Sequence, residues 1–363
     1  MEDPRVSRRG TPRLTFHIAR TVPTNTAPSR RTTTKRDQPS MRIVFFGSGA
    51  FGLPSLQHLA QHHTLLTVVS QPDKPAGRGS QLTPTPIAEW AAKSLTHVPL
   101  IRPTTVNEPS VRDALRALEA DAWVVIAFGQ KLGRALLDGK FAVNLHASLL
   151  PRWRGAAPIH AAILAGDTTT GNSVITLADK MDAGLVLGQS HRDIAPDITT
   201  GQLHDQLAAD GPALLDQVLA QHATSSLTPQ VQDESRITLA GKLGRADAYV
   251  DFAQTSEQCR CRINGLSPWP GVSVQFRGTA LKLLRATSGP SIAIDAPPGT
   301  VIDASRGHIA CAGRTTLELI EVQPAGKRAM PWRDFANGQR VRAMSPLDQS
   351  EADRLIGGGA TAC

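Results

Sequence analysis

The residues best equipped for chemistry lie in one short segment, Asn144-Leu145-His146-Ala147-Ser148-Leu149-Leu150-Pro151-Arg152-Trp153-Arg154-Gly155-Ala156-Ala157-Pro158. Residues two apart on a strand face the same side, so Asn144 and His146 form a pair at a strand end. Asp182 follows in Met181-Asp182-Ala183-Gly184, beyond one further expected strand. An amide, an imidazole and a carboxylate suit acyl transfer to an amine. Such a transfer passes through a tetrahedral adduct with a negative oxygen, to which an Asn amide or a protonated His donates. The attacking ammonium must lose a proton and the leaving nitrogen must gain one, and His moves protons near neutral pH. A nearby carboxylate favours the imidazolium and orients it. Taken singly, an Asn or His at a strand end is more often a structural hydrogen-bonding group. The following Ser-Leu-Leu-Pro loop is what turns the combination into a candidate site. This chemistry requires neither metal nor covalent nucleophile, and no His, Cys, Asp or Glu cluster has metal-ligand spacing.

The elements that must position these groups are legible from residue 41 onward. Apolar runs at 41–46, 65–70, 123–128, 141–146 and 173–177 read as strands. Between them 53–60, 85–95, a segment opened by Ser110 and 158–165 read as helices, with Thr85-Pro86 as a cap and first position. Residues 200–221 read as a long amphipathic segment broken at Gly211-Pro212. Repeated β-α-β spacing predicts an α/β fold with a doubly wound, Rossmann-like, mostly parallel sheet. Such a sheet binds ligands at the carboxyl ends of its strands, where Asn144 and His146 fall. Residues 41–223 are thus expected to form the catalytic domain, and the polar stretch 224–246 a linker. A helix near 256–266 and short strands at 271–276, 281–286, 299–302, 308–312 and 316–322 predict a small β-barrel domain over 247–345. Residues 346–363 read as a tail.

Bulk properties narrow the class. At 363 residues the chain suits two domains plus tails. No apolar run is long enough to span a bilayer, so no membrane partner is expected. Cys259, Cys261, Cys311 and Cys363 lack zinc-clip spacing and read as reduced thiols. The net charge is +8, and residues 1–40 supply +6 of it, with eight Arg and one Lys against Glu2, Asp3 and Asp37. The basicity is mostly that of a disordered N-terminal extension and says little about nucleic-acid binding by the folded part. Three readings compete for residues 1–40: a start upstream of the true initiator Met41, a mitochondrial transit peptide, or a basic arm touching RNA. Localisation follows from that choice: bacterial-type cytoplasm, or the mitochondrion if the extension is a transit peptide.

One motif points elsewhere. Gly47-Ser48-Gly49-Ala50-Phe51-Gly52 fits the dinucleotide-binding fingerprint, and Asp73 lies where a ribose-binding acid would be. Yet Asp73 sits in a Pro/Gly-dense loop, Gln71-Pro72-Asp73-Lys74-Pro75-Ala76-Gly77-Arg78-Gly79, and tight strand-to-helix turns use glycine for steric reasons in any such fold. The close-turn reading is preferred over an oxidoreductase.

Asn-x-His, Ser-Leu-Leu-Pro and Arg-Trp-Arg-Gly-Ala-Ala-Pro together resemble the 10-formyltetrahydrofolate-dependent formyltransferases. The resemblance runs over residues 41–345 and is most specific at 71–79 and 144–158. It implies transfer of a formyl group from 10-formyltetrahydrofolate to the α-amino group of methionyl initiator tRNA, by a monomeric, metal-independent enzyme. It also implies that Asn144, His146 and Asp182 are catalytic, and that Ser148, Leu149, Leu150 and Pro151 lie beside the folate. Lys74 and Arg78, in a loop that meets the tRNA, and Lys327 and Arg328, in an OB-like barrel, are the implied tRNA contacts. Lysine and arginine in exposed loops also suit a phosphate backbone on their own terms. One departure concerns the acid, because the family's usual Asp-Thr-Gly is Asp182-Ala183-Gly184 here and Asp179 offers a second carboxylate. Trp269, between two prolines, is expected in the core rather than as a stacking platform.

Overall fold

The computed structural model describes residues 40–76, 81–293, 295–344 and 352–358. The basic extension up to residue 39, Arg78 and Cys363 lie outside them. Strand β1 (Arg42–Gly47) shows how the first sheet is made: Ile43 and Phe45 enter one buried cluster, Val44 and Phe46 another. A strand apolar on both faces must lie between two layers. Helix α1 (Leu53–His62) carries a proline in its first turn, where the missing N–H costs nothing. Next come β2 (Thr64–Val69), the hairpin strands β3 (Lys74–Ala76) and β4 (Gln81–Thr83), and α2 (Pro86–Ser94), whose Thr85 cap accepts the Ala88 N–H. They are followed by β5 (Leu100–Ile101), α3 (Pro109–Ala117), β6 (Ala122–Ile126), α4 (Arg134–Leu137) and β7 (Ala142–His146). Ser110 does not cap α3: Pro109 takes the first helical position and Glu108 precedes it.

The first half continues through β8 (Arg154–Gly155), α5 (Pro158–Leu164), β9 (Thr169–Thr176), β10 (Val186–Asp193) and α6 (Thr200–Ala223). The main sheet runs β10-β9-β7-β6-β1-β2-β5. It is parallel from β7 to β5, with β9 and β10 added antiparallel. The expected break at Gly211-Pro212 does not occur: α6 is continuous, with Pro212 inside it. An interior proline costs about 3 kcal/mol. Against that, Leu203, Leu207, Leu214, Leu215, Val218 and Leu219 are all buried in one cluster, at roughly 1.5–3 kcal/mol each.

The remaining elements are β11 (Leu239–Ala240), α7 (Ser256–Gly265), β12 (Val272–Phe276), β13 (Thr279–Ser288), β14 (Val301–Asp303), β15 (His308–Cys311), β16 (Thr315–Pro324), β17 (Met330–Pro331), α8 (Trp332–Gln339) and β18 (Leu355–Gly357). Strands β14-β15-β16-β13-β12-β18 form an antiparallel sheet. Its outer strands meet again, because Val301 N–H donates to Asp353 O (2.9 Å) and Leu355 N–H to Gly299 O (2.8 Å), so the sheet curls like a barrel. Part of the segment expected as a loose tail is therefore a sheet edge, tied down by the buried Leu355. Trp269 is 54% exposed, contrary to the core expectation, since the flanking prolines hold a surface turn. Cys259, Cys261 and Cys311 are buried free thiols. Among the described residues no helix is long and apolar enough to cross a membrane.

Candidate active site

Strand β7 sends Val143 and Leu145 into the core and turns Asn144 and His146 to the opposite side. Asn144 is half-buried, and its carboxamide bonds to no described residue, so both donors remain available. His146 is buried with Nε2 2.9 Å from the Trp153 carbonyl oxygen. A carbonyl only accepts, so Nε2 carries a hydrogen and donates it; in the neutral ring the lone pair then lies on Nδ1. That Nδ1 faces Asp182 Oδ2 at 3.7 Å. Asp182 sits at φ +52°, in the left-handed region that Asp tolerates better than most side chains. Its Oδ2 accepts the Gly155 N–H at 2.9 Å. Asp179, the alternative acid, is exposed, and the ion pair of His146 is with Asp182 instead. The geometry thus brings His146 and Asp182 together and sets Asn144 on the same strand face.

The loop after β7 is tightly laced. Ser148 is fully buried and its hydroxyl donates to Arg152 O (2.6 Å). Ser173 Oγ donates to Ser148 O (2.6 Å) and accepts the Leu150 N–H (3.0 Å), while Gln189 Nε2 donates to Leu150 O (3.0 Å). Ser148 and Leu150 therefore shape the loop from inside; Leu149 and Pro151 are half-exposed and available to a ligand. The Arg-Trp-Arg run is structural too. Arg152 Nη2 and Trp153 Nε1 each donate to Asp167, both at 2.7 Å. Arg154, buried, donates to Gln232 Oε1 (3.0 Å) and Glu234 Oε1 (2.9 Å). Sequence reasoning missed Asp167, Gln189 and Gln232, which carry no motif and stand far along the chain from the groups they hold.

The Gly-rich turn is a packing device. The N–H groups of Ser48 and Gly49 both donate to Ala127 O at 3.2 Å, so they do not face outward toward a phosphate. A Cβ on Gly47 would fall 2.5 Å from the Phe45 ring, and one on Gly52 3.3 Å from Ile126 Cβ. Asp73 is paired with Arg102 Nη1 at 2.6 Å. Of the expected tRNA contacts, Lys74 is exposed with its ammonium donating to Gln71 Oε1, and Lys327 and Arg328 are exposed in the turn between β16 and β17. Arg78 lies outside the described residues.

The sequence pattern of the formyl transferase family matches residues 41–219, and that of the formyl transferase C-terminal domain matches residues 242–340. A methionyl-tRNA formyltransferase of Methylococcus capsulatus is 41% identical over 304 residues, covering 83% of this chain and 98% of the relative. One from a Roseiflexus species is 38% identical over 324 residues, covering 88% and 99%. Among solved structures, the N-formyltransferase of Helicobacter canadensis in complex with folinic acid and dTDP-3-aminofucose superposes with a TM-score of 0.60 at 12% identity, covering 78% of this chain and 99% of that one. At that identity the likeness is one of fold.

Proposed function

The chain belongs to the methionyl-tRNA formyltransferase family, and on that premise we propose that it transfers the formyl group of 10-formyltetrahydrofolate to the α-amino group of methionyl initiator tRNA. The observation that carries the reading is the pairing of His146 Nδ1 with Asp182 Oδ2 at 3.7 Å, at the carboxyl end of a strand whose same face carries Asn144, a carboxamide bonded to none of the described residues. The donor supplies a formyl carbon whose bond to nitrogen breaks as the new amide bond forms. In this reading Asn144 donates to the formyl oxygen as it gains negative charge. His146 takes a proton from the attacking amine at Nδ1 and returns one to the leaving nitrogen, with Nε2 fixed on Trp153 O. Asp182 offers the imidazolium N–H an acceptor across a gap that a small approach closes. The half-exposed Leu149 and Pro151 give the folate an apolar flank, with Ser148 and Leu150 holding the loop in shape. Lys74, Arg78, Lys327 and Arg328 meet the tRNA phosphates. Translation in a bacterial cytoplasm is the setting that fits the bacterial relatives, and the enzyme acts as a monomer without metal.

His146→Ala and Asn144→Ala should each lower turnover roughly 100- to 10,000-fold while tRNA affinity and folding stay close to those of the parent. Near-normal turnover in both variants would sink the assignment.

A further inference from the structure

We infer that Gln232, carried by the segment connecting the two halves, is a positioning residue for Asp182, and that this segment forms part of the active-site frame rather than a passive tether. The inference rests on the formyl-transfer reading of the site. Gln232 is 6% exposed. Both its amide hydrogens are used: Nε2 donates to Asp182 O at 2.7 Å and to Gly184 O at 2.8 Å. Its Oε1 accepts from Arg154 Nε at 3.0 Å. The orientation is fixed by chemistry, because a flipped amide would set its oxygen against two carbonyls and its NH2 against a guanidinium that only donates. Gln232 therefore grips the backbone on both sides of Ala183, where the acid departs from extended geometry at φ +52°.

The rest of the segment reinforces this frame. Gln230 and Val186 exchange backbone hydrogen bonds of 2.8 and 2.9 Å, which anchors the far side of the Asp182 loop. Thr238 Oγ1 accepts the Trp153 N–H at 2.9 Å, and Thr238 O accepts the Arg154 N–H at 3.0 Å. The Ala156 N–H donates to Ala240 O at 2.8 Å. Trp153 holds His146, and Gly155 holds the Asp182 carboxylate. One stretch of chain thus fixes the supports of both the imidazole and the acid, although none of its own side chains reaches either ring or carboxylate. A buried amide that ties the Asp182 loop to Arg154 transmits displacement, since a lost donor leaves the Asp182 and Gly184 carbonyls without this partner.

The test uses the full chain with two substitutions, Gln232→Met, which keeps length without donors, and Gln232→Glu, which keeps shape but cannot donate when ionised. Either should lower kcat about 10- to 100-fold, as expected for a catalytic group displaced by up to 1 Å, with KM for both substrates within about 3-fold. The decisive comparison repeats Gln232→Met in an Asp182→Asn background, where a residue acting through Asp182 adds less than about 2-fold. Equal losses in both backgrounds would mean a general structural role and overturn the inference. Hydrogen exchange without substrates supplies a separate readout: the Gly155 amide should exchange about 10-fold faster in Gln232→Met while the β13–β16 core stays protected. Unchanged exchange there would equally refute the positioning role. Absence of formyl-methionyl-tRNA with the parent chain would instead remove the functional reading and leave the exchange result to decide on Gln232.

Discussion

Replacing Gly155 by alanine strikes the contact on which the acid depends. Gly155 lies at φ +127°, and a Cβ there would stand 2.3 Å from the carbonyl oxygen of Ala240. Ordinary contact begins near 3.4 Å, so the β8–β11 pair must open by about 1 Å. The Gly155 N–H, which donates to Asp182 Oδ2 at 2.9 Å, moves with it. A shift of that size at a catalytic group costs about 100-fold in rate, equivalent to about 2.7 kcal/mol of barrier. The backbone conformation itself costs alanine about 1–3 kcal/mol of stability. Gly139→Ala is the control, because Gly139 has φ +70° and nothing within 4 Å of its built Cβ. It should lose stability without losing turnover. The assay is initial rate at saturating donor and charged tRNA, read beside thermal melting. Gly155→Ala turning over within about 3-fold of the parent, with its melting point lowered, would show that the acid keeps its place without this contact.

Other outcomes follow from the barrel half. Changing Lys327 and Arg328 together to alanine should raise KM for tRNA and make its logarithmic salt dependence shallower by about 2, one unit per lost phosphate contact; an unchanged slope would assign these charges to solubility alone. Glu257 gives a pH signature. Its hydrogen bond with Arg260 is the main cause that holds its carboxyl down from 4.5 to about 2, against the opposing effect of burial. A depressed carboxylate stabilises the fold fully above its unfolded value and loses that contribution as pH falls through its folded value. Glu257→Gln should therefore melt below the parent at pH 7, with the gap shrinking between about pH 4.5 and pH 2. A gap constant with pH would mean that the charge is not what matters.

Much of the fold is written in local pattern. The doubly apolar β1, the Thr85 cap and the alternation along β7 are properties of a few neighbouring residues, and each reads correctly in isolation. Pro212 misleads because local propensity argues for a break, while six buried side chains on either side of it along the same helix outweigh it. Strand β18 is too short to announce itself and exists only because β12 and Gly299 offer partners. At the site, Asn144, His146 and Asp182 are visible because their side chains have chemistry and their spacing has meaning. Gln232 and Asp167 are invisible because nothing in a polar stretch reveals which distant carbonyl or indole it will meet. Gly47, Gly49 and Gly52 satisfy a nucleotide fingerprint and serve packing, since close approach to Phe45, Ala127 and Ile126 demands the same residue that close approach to a phosphate would.

The central claim is most directly tested by incubating the purified chain with 10-formyltetrahydrofolate and methionine-charged initiator tRNA, with charged elongator tRNA alongside, and following formyl-methionyl-tRNA. The account predicts product on the initiator, its loss in His146→Ala, and little or none on the elongator. No product on either tRNA, with the donor still bound and small amines formylated in its place, would contradict it.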